Sequence, residues 1–150
     1  MNKRMCLQWL LALSFGALTT SAAIAAETPA ALAGVKSVSA DEVKKMLDSG
    51  VPVIDTRVAA EYAEKTIKGA LSVPYKEKSA KDPGFDPAQD QFDLGKLPAN
   101  KGAPVVFFCN AGECWKSYKA SVVALKAGYT KVNWFRGGFP EWTGKGLPTQ

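Results

Sequence analysis

The stretch Pro104-Val105-Val106-Phe107-Phe108-Cys109-Asn110-Ala111-Gly112-Glu113 decides the fold of this chain. Its apolar first half predicts a buried strand, and residues 115–127 after it have the apolar spacing of a helix that Gly128 ends. A strand that leads through a short loop into a helix is the repeating unit of a parallel α/β sheet. Cys109 is therefore expected at the carboxyl end of a central strand, where such sheets bind their ligands.

Cys109 is the strongest candidate for a reactive side chain. Backbone N–H groups and the helix dipole at the start of the following helix attract an anion and favour a thiolate. A thiolate held in this way is a nucleophile. The alternative is a buried structural cysteine, because free cysteine is among the most buried residue types.

Strand and helix patterns alternate along the rest of the chain. Strands are predicted at residues 35–38, 51–54, 70–74, 104–108 and 131–135, and helices at 39–50, 58–65, 115–127 and around Trp142. Ser39 and Glu42 fit a capping box, and Gly50 fits a helix end. Residues 75–103 are polar and are predicted to form a long surface connection with one short helix near 92–97. We expect an α/β fold of three layers, with a central, mainly parallel sheet flanked by helices.

Residues 1–26 have the pattern of a secretory signal peptide. Lys3 and Arg4 precede an apolar stretch at residues 7–18, and small residues precede Glu27. The apolar stretch is too short and interrupted for a convincing transmembrane helix, and an uncleaved anchor is the alternative. We expect cleavage after Ala26, a flexible lead-in over residues 27–34 and one domain at 35–150. This domain is expected in the periplasm, without a membrane attachment after cleavage.

Charge and residue usage limit the kinds of function. The full chain carries a net charge of +5, and removal of Lys3 and Arg4 leaves a mildly basic protein. That balance suits a small anionic substrate, whereas no basic run or aromatic-basic pattern suggests nucleic acid. The chain has no histidine, the commonest general base and metal ligand. We expect neither a metal site nor any other cofactor.

The mature chain would keep two cysteines, Cys109 and Cys114, because Cys6 belongs to the signal peptide. Two cysteines in an oxidising compartment normally form a disulfide. Since these two are only five positions apart, a bond between them would close a small loop and add little stability through chain entropy. A structural staple therefore explains the pair poorly.

Three ordered motifs resemble those of rhodanese domains, over residues 35–148. They are Ile54-Asp55-Thr56-Arg57 with Glu61-Tyr62 and Ile67-Lys68-Gly69-Ala70, then the loop that begins Cys109-Asn110-Ala111-Gly112, and then Phe135-Arg136-Gly137-Gly138-Phe139 with Trp142 and Gly146-Leu147-Pro148. The resemblance implies a sulfurtransferase in which Cys109 takes sulfane sulfur from thiosulfate or a related donor, becomes a persulfide and passes the sulfur to a thiol or cyanide. It also implies a substrate cradle formed by Asn110, Ala111, Gly112, Glu113, Trp115, Lys116 and Ser117. The partners would be a small anionic sulfur donor, the acceptor and a periplasmic protein.

The chain departs from the rhodanese pattern at three places. Lys65-Thr66 stands where the family usually has Gly-His, a position that we interpret as structural. Cys114 stands where many relatives have arginine, and Ser117 makes the loop a residue or two longer. A wider loop is found in the related phosphatases and arsenate reductases, so the substrate class stays open. A non-catalytic module that carries sulfane sulfur or docks a partner is a further alternative.

Several charged residues near the loop carry hypotheses of their own. Lys116 and Lys119 lie in the first turn of the predicted helix, where positive charge is unfavourable, and either attract anions or form a solvated face. Arg136 either faces the pocket or pairs with an acid. Asp55 and Arg57 are interpreted as a structural charge pair near the site.

Cys114 has two interpretations. It is either a wall residue or a resolving thiol that attacks the Cys109 persulfide, releases sulfide and leaves a disulfide. The second role needs the two Cα atoms within about 7 Å of each other.

Overall fold

A five-stranded parallel sheet forms the centre of the protein, whose computed structural model describes residues 26–150. The strands are β1 (Lys36–Ser37), β2 (Val53–Asp55), β3 (Leu71–Ser72), β4 (Val105–Phe108) and β5 (Val132–Phe135). Their order is β1-β5-β4-β2-β3, and every neighbouring pair is parallel. The strand that precedes Cys109 is thus the central one, and the predicted fold class is confirmed.

Helices cover both faces of this sheet. They are α1 (Ala40–Asp48), α2 (Ala59–Glu64), α3 (Lys116–Lys126) and α4 (Gly138–Gly144). Phe108 packs in the cluster that holds Val43 of α1 and Trp142 of α4, whereas Phe107 packs in the cluster that holds Ala124 of α3. Because successive side chains of a strand point to opposite faces, β4 contributes to the apolar layers on both sides. Each fully buried phenylalanine stabilises the fold by about 1.5–3 kcal/mol.

The first helix begins and ends as its sequence predicts. The Ser39 hydroxyl accepts a hydrogen bond from the Glu42 amide, and the Glu42 carboxylate accepts one from the Ser39 amide. Gly50 follows the helix with a φ of +85°, a conformation that glycine adopts without strain. The capping box is therefore confirmed.

The long connection over residues 75–103 differs from its prediction. It contains two short 3-10 turns, Pro87–Gln89 and Leu94–Lys96, and the sequence predicts only the second. Phe85 and Leu97 are buried, so the segment is more than a surface loop. The first turn begins at Asp86, whose side chain accepts a hydrogen bond from the Ala88 amide.

Asp90 organises the start of the same connection. Its carboxylate accepts hydrogen bonds from the Tyr75 hydroxyl, from the Lys78 and Ser79 amides and from the Ser79 hydroxyl, at 2.6–2.7 Å. Burial works against ionisation of Asp90, but the bonds from Ser79, Lys78 and Tyr75 outweigh it and lower its pKa to about 2. The charged carboxylate thus stabilises the folded connection.

The predicted signal peptide falls outside the described residues, except for Ala26. Within residues 26–150, no helix has the length and apolar character needed to cross a membrane.

Candidate active site

The sulfur of Cys109 lies at the start of α3. It is 3.4 Å from the Ser117 amide nitrogen and 3.1 Å from the Ser117 hydroxyl. Helix α3 has no side-chain cap at Trp115, so this sulfur takes the place that a capping oxygen usually fills. Two donors and the positive end of the helix dipole therefore converge on Cys109 and stabilise negative charge there.

A buried tryptophan orients the Ser117 hydroxyl. Trp134 Nε1 donates a hydrogen bond of 2.9 Å to Ser117 Oγ, which leaves the hydroxyl proton to point at Cys109. Both residues are almost completely buried, so water does not compete for these bonds. The sequence predicts Trp134 only as a core residue, because its apolar strand pattern does not reveal a hydrogen bond to the site.

Cys109 and Cys114 form a disulfide, and their Cα atoms are 6.3 Å apart. Cys109 is only 1% exposed, whereas Cys114 is half-buried and therefore the more accessible sulfur. The loop between them turns at Ala111, which has a φ of +45°, and the Cys114 amide donates to the Ala111 carbonyl at 3.2 Å. In this oxidised state neither sulfur is a nucleophile, so reduction must precede any thiolate chemistry.

Gly138 supports the loop from behind, a role that the local sequence pattern does not predict. Its φ is +59°, and a Cβ atom there would collide with the Cys109 carbonyl oxygen and come within 2.9 Å of the Ala111 nitrogen. The Phe139 amide also donates to the Cys109 carbonyl at 2.8 Å. Only glycine fits this close approach, because a Cβ atom would meet the backbone of the loop.

The lead-in lies against the loop, in contact with Gly112 and Trp115. The Thr28 amide and hydroxyl both donate to the Gly112 carbonyl at 2.8 Å, and Thr28 is 3% exposed. Trp115 Nε1 donates to the Ala26 carbonyl at 2.8 Å. The sequence around Thr28 does not predict this contact, because its partner Gly112 lies far along the chain.

Arg136 binds the lead-in. Its guanidinium donates to the Thr28 carbonyl at 2.9 Å and to the Pro29 carbonyl at 3.1 Å, and it lies 3.4 Å from the Glu27 carboxylate. The group also packs against Gly112, where an added Cβ atom would come within 2.8 Å of it. Of its two predicted roles, the structure thus shows the pairing with an acid.

Lys119 is corrected from an anion-attracting residue to a buried structural one. It is fully buried, forms a salt bridge of 2.8 Å with Glu77, and donates to the carbonyl and hydroxyl oxygens of Ser79. Its position one turn inside α3 directs it to the connection and away from solvent. Lys119 therefore neutralises Glu77.

Lys116 remains partly exposed and lines a cavity of about 350 Å³. Lys76 and Glu77 lie on the same cavity, together with Val58 and Ala59 at the start of α2. Because Lys119 balances the charge of Glu77, the two lysines leave the cavity with an excess of positive charge. The cavity can thus attract a small anion.

Asp55 and Arg57 form a buried charge pair with a hydrogen bond of 2.7 Å, as the structural interpretation requires. The Thr66 hydroxyl donates to the same carboxylate at 2.8 Å, so this place in the first motif is occupied by a structural contact. Arg57 also donates to the Lys65 carbonyl. These bonds hold the end of β2 beside the loop.

The remaining predicted loop residues differ in their burial and contacts. Asn110 donates a hydrogen bond of 2.6 Å to the Glu61 carboxylate and so joins the loop to α2. Trp115 is 2% exposed and packs edge-on against Tyr118, whereas Glu113 is exposed. Among residues 26–150, no group of three or more histidine, cysteine, aspartate and glutamate side chains is arranged to hold a metal ion.

Two related proteins are similar in sequence to this chain over 76% of its length. It is 33% identical over 117 residues to human thiosulfate:glutathione sulfurtransferase, a match that covers 76% of this chain and 98% of the relative. It is 29% identical to thiosulfate sulfurtransferase 16 of Arabidopsis thaliana, covering 76% of this chain and 92% of the relative. These matches support a sulfurtransferase-type function.

Solved structures share the fold. A thiosulfate sulfurtransferase from Pseudomonas aeruginosa aligns with a TM-score of 0.56 and 23% identity, over 77% of this chain and 20% of that one. The BH2092 protein from Bacillus halodurans aligns with a TM-score of 0.58 and 19% identity, over 77% of this chain and 76% of that one. Residues 39–145 match the rhodanese-like domain, and the chain belongs to that family.

Proposed function

We propose that this protein transfers the sulfane sulfur of thiosulfate to a thiol or cyanide through a persulfide on Cys109. The observation that carries this proposal is the position of the Cys109 sulfur, with the amide and hydroxyl of Ser117 directed at it from the start of α3. The human and Arabidopsis relatives are both named as sulfurtransferases that use thiosulfate, which supports the choice of donor.

The chemistry begins with reduction of the Cys109–Cys114 disulfide. The Cys109 thiolate then attacks the outer sulfur of thiosulfate, the sulfur–sulfur bond of the donor breaks, and sulfite leaves with the electron pair. An acceptor thiolate or cyanide next attacks the outer sulfur of the persulfide, and Cys109 leaves as a thiolate. Ser117 stabilises the charge on Cys109 before the first step and after the second.

We propose that the cavity beside Lys116 attracts the anionic donor. Lys116 and Lys76 line it, and the carboxylate of Glu77 is balanced by Lys119. Exposed lysines attract an anion over about 10 Å at an ionic strength of 0.1 M, and salt weakens this attraction. We therefore assign Lys116 to donor attraction and withdraw Lys119 from that role.

Phosphatase or arsenate reductase chemistry is disfavoured by the placement of the arginines. Phosphoryl transfer needs a planar guanidinium that clamps several oxygens. Arg57 is bound to Asp55, and Arg136 is bound to the carbonyls of Thr28 and Pro29; residues 26–150 contain no other arginine. Both guanidinium groups thus serve the scaffold.

We place the protein in the periplasm on the strength of its signal-peptide pattern. Fractionation of expressing cells and sequencing of the amino terminus test this. A mature protein that begins at Glu27 in the periplasmic fraction is the expected result, and a cytoplasmic protein that retains residues 1–26 contradicts it.

Turnover of thiosulfate with cyanide tests the proposed activity. The protein is reduced with a dithiol, freed of it and mixed with both substrates, and thiocyanate is measured. We expect turnover by Cys114→Ser, whose loop has no second thiol that competes with cyanide for the persulfide, and none by Cys109→Ser. A Cys114→Ser protein that forms the persulfide but yields no thiocyanate would instead be a non-catalytic sulfur carrier, and thiocyanate from Cys109→Ser would refute the assignment of the nucleophile.

A further inference from the structure

The disulfide between Cys109 and Cys114 lies in a loop that other contacts already hold in place. The Cys109 carbonyl accepts from Phe139, the Gly112 carbonyl accepts from Thr28, and the Cys114 amide donates to Ala111. The bond spans only five positions, so it adds little entropic stability. The disulfide is therefore not needed to stabilise the fold. We expect that Cys109 and Cys114 have a chemical role instead.

We propose that Cys114 is a resolving thiol that converts the Cys109 persulfide into this disulfide and releases hydrosulfide. This inference rests on the proposed function, because it needs the persulfide. The Cys114 thiolate attacks the inner sulfur, Cys109 Sγ, and a bond forms between the two cysteines. The bond from Cys109 Sγ to the outer sulfur breaks, and the outer sulfur leaves with the electron pair and the persulfide proton as hydrosulfide.

The geometry selects the inner sulfur as the point of attack. In the structure Cys114 Sγ is bonded to Cys109 Sγ itself, with the Cα atoms 6.3 Å apart, so the loop brings these two atoms together without a change of fold. The hydroxyl and amide of Ser117, in α3, hydrogen-bond to Cys109 Sγ and hold it in position. The electrophilic atom is thus fixed, and the attacking thiol lies on the same short loop.

The unequal burial of the two cysteines sets the direction of the return step. Cys114 is half-buried and Cys109 is 1% exposed, so an external dithiol reaches the Cys114 sulfur first. Cys109 then leaves as the thiolate that Ser117 and the start of α3 stabilise, and a stabilised thiolate is the better leaving group. The second thiol of the dithiol displaces Cys114, and both cysteines return to the reduced state.

The complete cycle is balanced. Thiosulfate and a dithiol give sulfite, hydrogen sulfide and the oxidised dithiol, with two electrons supplied by the dithiol. The partner implied by this cycle is an external reductant with two thiols, a small dithiol or a dithiol protein. The structure corresponds to the oxidised state of the cycle, which cannot attack thiosulfate because neither cysteine is a thiolate.

A single-turnover experiment tests the resolving role. Reduced protein is freed of reductant under anaerobic conditions and mixed with an equivalent of thiosulfate, with no thiol or cyanide. Sulfite, sulfide, remaining thiols and the cysteine-containing peptides are then measured. From the parent we expect stoichiometric sulfite, stoichiometric sulfide and a Cys109–Cys114 disulfide. The first-order rate constant for decay of the persulfide to sulfide should not depend on protein concentration.

The variants Cys114→Ser and Cys114→Ala should form sulfite equally well but keep the extra sulfur on Cys109. We expect their sulfide release to be slower by about a hundredfold or more, because the intramolecular nucleophile is gone. Two substitutions of different polarity separate the loss of the thiol from a local folding effect.

The other outcomes separate failure of the resolving role from failure of the proposed function. A stable persulfide in the reduced parent, or a rate constant for persulfide decay that rises with protein concentration, overturns the resolving role but leaves the proposed function standing. Extra sulfur found on Cys114 also overturns it, because the attack would then be on the outer sulfur. No sulfite from either the parent or the Cys114 variants refutes the proposed function itself.

Discussion

Replacement of Ser117 by alanine should move the pH dependence of persulfide formation. The substitution removes the hydroxyl that lies 3.1 Å from Cys109 Sγ and leaves the Ser117 amide in place. A hydrogen bond to a charged group contributes about 1.5–3 kcal/mol. At about 1.36 kcal/mol for each pH unit, its loss shifts the midpoint of the pH–rate profile upward by about one to two units.

The effect on rate is smaller than that shift alone suggests. Below the midpoint the thiolate fraction falls about 10- to 100-fold, but a more basic thiolate is also more nucleophilic, with a Brønsted coefficient of about 0.4–0.5. The net loss of rate with thiosulfate near neutral pH is therefore about 3- to 10-fold. At high pH, where the thiolate is fully formed in both proteins, the variant should equal or exceed the parent.

The assay is best done in the Cys114→Ser background, so that Cys109 is the one thiol observed in the mature chain. Persulfide formation and alkylation by iodoacetamide are followed from about pH 5 to about pH 10, in steps of about one unit around each midpoint. Ser121→Ala is the matched control, because Ser121 is fully buried on the same helix but donates to the Ser117 carbonyl and not to sulfur. An unchanged midpoint in Ser117→Ala, or an equal shift in Ser121→Ala, refutes the assigned role.

Three further substitutions test the scaffold around the site. Gly138→Ala should lower the free energy of unfolding by about 3 kcal/mol, because the new Cβ strains the backbone and collides with the Cys109 carbonyl. Gly144→Ala, on the same helix, is the control, because its Cβ would meet no atom within 4 Å. Equal denaturation midpoints of the two variants would contradict this. Lys119→Met should lower the free energy of unfolding by about 3–5 kcal/mol, because it leaves the buried Glu77 carboxylate without its partner charge. Lys116→Met should raise the KM for thiosulfate with little loss of stability. The reverse pattern would contradict both roles. Asp90→Asn should lower the free energy of unfolding by about 2 kcal/mol at pH 7, because the folded protein lowers the Asp90 pKa to about 2. The difference in stability between parent and variant should shrink as the pH falls from about 4 towards 2. A difference that stays constant with pH in denaturant unfolding would contradict this prediction.

Local sequence patterns predict the sheet, its helices and the position of Cys109 at the end of the central strand. The apolar run before Cys109 becomes the central strand β4, and the capping box of Ser39 and Glu42 begins α1 as expected. These features depend on residues a few positions apart, so the spacing of polar and apolar side chains carries them. The same holds for Cys109 and Cys114, which share one loop.

Contacts between distant segments were beyond the reach of these patterns. Lys119 pairs with Glu77 across α3 and the long connection, and Arg136 binds the carbonyls of Thr28 and Pro29. The sequence shows the charge of each lysine or arginine but not which buried carboxylate or carbonyl the fold brings to it. The sequence therefore left two interpretations open for each side chain, and the structure shows that the hydrogen bonds of both hold the scaffold around the loop.

Locating the transferred sulfur decides whether Cys109 is the nucleophile. Reduced Cys114→Ser protein, which cannot resolve its persulfide, is mixed with thiosulfate labelled in the outer sulfur, digested without reductant and studied by peptide mass spectrometry. We expect one added labelled sulfur atom on the peptide that contains Cys109, together with free sulfite, and no such adduct on Cys109→Ser. A peptide that stays unmodified after thiosulfate treatment of fully reduced, folded protein would contradict the assignment of Cys109 as the sulfur-accepting nucleophile.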